Sequence, residues 1–151
     1  MKKLLALILL CPLIFSENNM IPLGEYIDKN VDITGVTARD MIYVNYRCIA
    51  LNLVLMELMT SDLEKPKEDA KNNIINFLNG GFNLYSQIFE DKISDDPWQD
   101  YLNSVASQTL SMKESYRFQT SKDWQDTGNV LGGKFIKNDF SECTYWKELL
   151  D

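Results

Sequence analysis

Three side-chain types in this chain could carry chemistry: three cysteines, an excess of carboxylates, and asparagines set at helical spacing inside apolar runs. Histidine is absent. That removes imidazole bases, serine or cysteine nucleophiles activated by histidine, and His-ligated zinc or haem. The carboxylates number twenty-two, and a hydrolase would need two of them flanking one bond. Glu25 with Asp28, or Glu114 with a distant acid, offer such a pair, yet no pair sits in an apolar frame that would raise a pKa. The acids around the turn at Glu90, Asp91, Asp95 and Asp96 lack the alternating spacing and central glycine of a calcium loop. No glycine-rich phosphate cradle is present. No cofactor and no metal site follow from these patterns.

Cys11 falls in an N-terminal run, MKKLLALILLCPLIFS, in which two lysines precede a dozen mostly apolar residues. This is the layout of a secretory signal peptide, expected over residues 1–16, and the run is too short to span a bilayer. Leu10 is too bulky for the residue that precedes a lipidated cysteine, so a lipoprotein through Cys11 is not expected. An exported chain, periplasmic or secreted, keeps Cys48 and Cys143. In an oxidising compartment an even pair is most simply a disulfide, here closing nearly the whole domain. CxxC is missing, and Cys48 lies in an apolar helix where a thiolate is disfavoured.

Loss of the leader would leave thirteen basic against twenty-two acidic residues, and the full chain already carries −7. Nucleic acid is excluded as a partner because phosphate neutralisation supplies most of that affinity. A basic protein surface or a small apolar ligand remains.

Those residues must be held by helices. Residues 17–36, with Pro22, Gly24 and Gly35, show no sustained helical period and are expected to form an extended arm. Residues 37–151 form the helical domain, long enough to bury its own core. Thr37 with Asp40 predicts a capped start. Met41, Val44, Cys48, Leu51, Leu55 and Leu58 then make one apolar stripe, and Ile42, Tyr46, Ile49, Leu53 and Met56 a second. So wide an apolar arc makes this the central helix. Arg47 and Glu57 leave only nine residues between them, so no membrane span is expected in the mature chain. Asn45 and Asn52, seven apart, nearly eclipse each other. They either satisfy nearby backbone or line a ligand cavity.

A second helix opens near Pro66 and runs unbroken through Gly80 and Gly81. Gly81 lies on its apolar face, where a missing side chain lets a neighbour approach. Asn72, Asn76, Asn79 and Asn83 form the opposite, solvated face. Asp96, Pro97 and Gln99 predict the start of a third helix, fading near Phe118 to Thr120. From Ser121 either a fourth helix follows, with Trp124, Gly128, Leu131 and Phe135 on one face, or Gly128, Gly132 and Gly133 break it into a loop. A short last helix, Glu142 to Leu150, would be capped by Ser141 and would bury Cys143, Trp146, Leu149 and Leu150.

One cysteine in a first apolar helix (YRCIALN) and one in a last helix (FSECTYWKELL), behind a signal peptide, resemble the layout of small exported helical proteins of Gram-negative bacteria. Some helical periplasmic immunity proteins share it. The resemblance is one of layout and assigns no functional residue.

The expected fold is therefore all-α: four main helices plus a short C-terminal one, closed by Cys48–Cys143. The expected function is a non-enzymatic periplasmic interaction module, of inhibitor or immunity type, for a partner with a basic surface. The alternatives are a carrier of a small apolar ligand, with a cavity lined by Asn45, Asn52 and Gly81, and a carboxylate-dependent hydrolase.

Overall fold

A computed structural model describes residues 20–32, 34–59, 64–90 and 95–150; the side chains of Leu149 and Leu150 are not among the described groups. The expected signal segment, with Cys11, lies outside this range. Among the described residues the fold is all-helical, with α1 Leu23–Asn30, α2 Ala38–Leu58, α3 Glu64–Ile88, α4 Pro97–Thr127 and α5 Lys134–Leu150.

Helix α2 is the axis of the bundle. It packs along α3 and α4 and meets α5, while α1 closes over α5 and α2. Its start is the expected capping box: the Thr37 side chain accepts from the Asp40 amide, and Asp40 Oδ2 accepts from the Thr37 amide at 3.0 Å. From Ile42 to Leu55 burial is nearly continuous around the helix, and it includes Arg47, Ala50 and Val54 on the side away from both stripes. By length and composition alone α2 could cross a membrane. Its apolar surface is instead covered by the other helices.

Helix α3 runs unbroken through Gly80 and Gly81, both buried. Of its asparagine row, Asn72, Asn79 and Asn83 are exposed and Asn76 is half-buried. Helix α4 starts as expected, with Pro97 in the first turn and the Asp96 carboxylate accepting from the Gln99 amide at 3.0 Å.

Three expectations change. The arm holds a helix, α1, where an extended chain was expected. Its first-turn amides have no cap in their own sequence and find one on α5, a contact invisible to local periodicity. Helix α4 does not fade near Thr120, because Tyr116, Thr120 and Asp123 continue its buried face. It ends only at Gly128, whose φ of 69° is the left-handed conformation a helix C-terminus favours glycine for, with its amide on the Trp124 carbonyl at 2.8 Å. The expected fourth helix from Ser121 is thus divided. Its first half is the end of α4, residues 128–133 form the turn, and Phe135 lies in the first turn of α5. Helix α5 is correspondingly long, at 17 residues, and Ser141 is an exposed mid-helix residue, not a cap. Cys143 is buried and Trp146 half-buried on it.

Candidate functional site

Cys48 and Cys143 form the disulfide, with Cα atoms 5.4 Å apart and 95 residues of sequence between them. Both cysteines are buried, so the bond joins the middle of α2 to the middle of α5 inside the core.

One residue before Cys48, and one turn before Cys143, the same two helices are joined by a buried ion pair. Arg47 Nη2 meets Asp139 Oδ2, and both side chains are 0% exposed. Asp139 Oδ2 also accepts from the Tyr116 hydroxyl of α4 at 2.5 Å, and Arg47 Nε donates to that hydroxyl at 3.3 Å. Arg47 Nη1 donates to the Ile21 carbonyl at 2.8 Å. Asp139 Oδ1 accepts from the Leu23 amide at 2.6 Å, and Asn138 Oδ1 from the Gly24 amide at 2.9 Å. Leu23 and Gly24 are the first residues of α1, preceded by Pro22, whose side chain caps nothing. Two side chains of α5 therefore supply the N-terminal cap that α1 lacks, and the Asp139 carboxylate stands at its positive end. The guanidinium lies 5.8 Å from the Tyr116 ring centroid and 5.7 Å from that of Phe135.

Burial works against the charge on Arg47, but the fields of Tyr116 and Asp139 outweigh it, and the guanidinium is held above its ordinary value. Burial pushes the Asp139 carboxyl up, opposed by Arg47, the Tyr116 hydroxyl and the Leu23 amide. Burial likewise raises the Tyr116 phenol well above its usual range. Each polar atom of Asp139 is engaged within the protein. Chemically this is a closed network that positions helices, with neither a free base nor an open face. Its one sequence signal was Arg47, a cation in the middle of the most apolar helix, where a charge must find a partner.

The expected cavity residues separate. Asn45 is buried, donates to the Phe77 carbonyl of α3 at 2.9 Å, and keeps its Oδ1 without a hydrogen-bond partner. Gly81 explains the approach: a Cβ there would lie 2.2 Å from the Tyr101 hydroxyl and 2.5 Å from Asn45 Oδ1. The missing side chain admits an amide from α2 and a phenol from α4 to the α3 backbone, and they fill the space over Gly81. Asn52 faces elsewhere. It donates to the Cys48 carbonyl at 2.8 Å and accepts from Asn73 at 3.3 Å. There it borders a cleft of about 270 Å³ beside Cys143, where Lys147 Nζ donates to Asn73 Oδ1 at 2.9 Å.

Of the carboxylates read as catalytic candidates, Glu25 is tied to Lys29 at 2.6 Å and Glu114 to Arg117, both on the surface. Glu142, like Asp139, has its carboxyl pushed up, through burial first and then the charges of Asp28 and Asp139. Among the described residues no group of three or more acids or cysteines is arranged to hold a metal ion. The chain matches no protein-family model, no curated protein and no solved structure.

Proposed function

We propose that the chain is an exported, non-enzymatic interaction protein of inhibitor or immunity type, and that it engages a protein partner through the outer face of α4. The observation that carries this reading is the exposure of three large apolar side chains there: Leu110 at 64%, Phe118 at 57% and Trp124 at 59%. At 100° per residue they lie on the half of α4 turned away from Tyr101, Val105, Met112 and Tyr116, which are in the core. Exposed aromatic residues of this size are the side chains that dominate binding at protein interfaces. The net charge of −7 favours a basic partner surface and faster encounter with it. Export is supported by the N-terminal lysine-then-apolar layout and fits a disulfide in the core.

The carrier alternative has less support, because the volume over Gly81 is taken by Tyr101 and Asn45. The hydrolase alternative would have to rest on Asp28 of α1 and Glu142 of α5.

Immobilised protein challenged with periplasmic extract should retain a partner that elutes with rising salt. The Phe118→Ser/Trp124→Ser variant should lose it. Retention of the same proteins by both forms would remove α4 as the binding face. Hydrolytic turnover by purified protein, abolished by one carboxylate substitution, would overturn the non-enzymatic reading.

A further inference from the structure

Helix α5 shows a second unpartnered face, independent of the α4 reading. A groove of about 500 Å³ runs along it, over the buried Ile136 and between Phe140 and Tyr145. Phe140 is 47% and Tyr145 56% exposed. Lys137, Ser141, Thr144 and Glu148 line the same groove and are exposed. Their spacing of four, three and four residues places them in one seam along the helix. Asp139 and Cys143, which tie α5 to α2, lie on the opposite side.

The order of these six residues is self-complementary. About the midpoint between Glu142 and Cys143, Lys137 mirrors Glu148, Phe140 mirrors Tyr145, and Ser141 mirrors Thr144. A second copy of α5 laid antiparallel about a two-fold axis at that midpoint brings Lys137 level with the other copy's Glu148, at both ends of the seam. The small Ser141 and Thr144 meet at the centre, where they let the helix axes come close. The four aromatic rings flank the seam and cover the groove. Parallel pairing would set like charges against each other. Neither Lys137 nor Glu148 has an ion-pair partner among the described residues, so both charges are available.

We propose that the chain self-associates through α5, as an antiparallel, isologous dimer in which Lys137 and Glu148 form two symmetry-related ion pairs. Only the faces of two helices meet, so the interface belongs to the small class and the dimer is reversible with concentration.

Sedimentation equilibrium of the purified, disulfide-bonded protein tests this without any partner, so its outcome is separate from that of the α4 reading. Wild type should show a reversible monomer–dimer equilibrium. Lys137→Glu alone and Glu148→Lys alone should each weaken self-association by about tenfold or more, since each turns two attractions into two repulsions. Both sites are exposed, so at concentrations where wild type is monomeric the thermal unfolding of the two variants should match it. An equimolar mixture of the two should recover wild-type association, because opposite charges again face each other at both ends. A wild type that stays monomeric up to its solubility limit would overturn the proposal. So would single variants that dimerise as tightly as wild type, or a mixture that associates no better than its components.

Discussion

Replacing Asp139 by alanine removes the acceptor on which α1, α2 and α4 converge. Asp139 takes the Leu23 amide at 2.6 Å, the Tyr116 hydroxyl at 2.5 Å and the Arg47 guanidinium, with both members of the ion pair at 0% exposure. Stranding a buried charge in this way costs about 3–5 kcal/mol. A buried amide left unpaired costs about 1–3 kcal/mol, but Leu23 can regain water if α1 swings away, so only part of that adds. The sum is about 5 kcal/mol, a large share of the roughly 5–15 kcal/mol a domain has in total. Urea unfolding followed by far-UV circular dichroism, with the disulfide kept oxidised, measures the loss. Amide exchange should show Leu23 and Gly24 unprotected in the variant even where the bundle stays folded. Asp139→Asn should cost less, because its carbonyl still accepts from Leu23 and Tyr116 can turn its hydroxyl to accept from the new amide. Arg47→Met/Asp139→Leu should recover most of the loss, since a buried pair replaced by apolar groups of similar volume is often neutral. A loss below about 1 kcal/mol for Asp139→Ala, or a double variant as unstable as the two singles combined, would refute the claim that this pair is buried and closed.

Gly81→Ala should destabilise the protein although alanine favours a helix by about 1 kcal/mol; the new methyl meets Tyr101 and Asn45, and overpacking costs about 1–3 kcal/mol. Tyr101→Phe in the same chain should return part of the loss in a thermal melt, and a Gly81→Ala protein more stable than wild type would contradict the close approach. Reduction of Cys48–Cys143, or Cys48→Ser/Cys143→Ser, should lower stability by up to about 4–5 kcal/mol from loop entropy alone; an unchanged urea midpoint would show that the bond constrains nothing. Glu142 has a carboxyl raised by burial and by Asp28 and Asp139. Such a group contributes its stability fully below the unfolded-state value and loses it as pH rises through the folded-state value. Glu142→Gln should therefore raise the melting temperature at neutral pH and make no difference in acid below the ordinary glutamate range. A benefit that persists in acid would reverse the sign.

What was legible in the sequence was local. Thr37 with Asp40, and Asp96 with Pro97 and Gln99, announce two helix starts through contacts three residues apart, and both are present. The unbroken phase through Gly80 and Gly81 marks one helix, and the wide apolar arc of α2 marks the centre of the bundle. The cysteine pair followed from counting on the expectation of export, since loss of Cys11 with the leader would leave one pairing, and Cys48–Cys143 is bonded. The misread segments share a different origin. Residues 121–127 look like a helix start because Ser121 is a good cap, but the buried Thr120 and Asp123 hold α4 together past it.

The sequence alone determined which segments from Thr37 onward are helical cores, because caps, periodicity and side-chain size act within one or two turns. Only the tertiary structure decided that residues 23–30 are a helix, that Arg47 is buried, and that Asn45 and Asn52 point to different neighbours. The caps of α1 come from residues 114 and 116 positions away, and the partner of Arg47 from 92 positions away. A polar group buried at such a distance gives no periodic signal. It shows in the sequence only as a charge out of place, and its partner is fixed by packing.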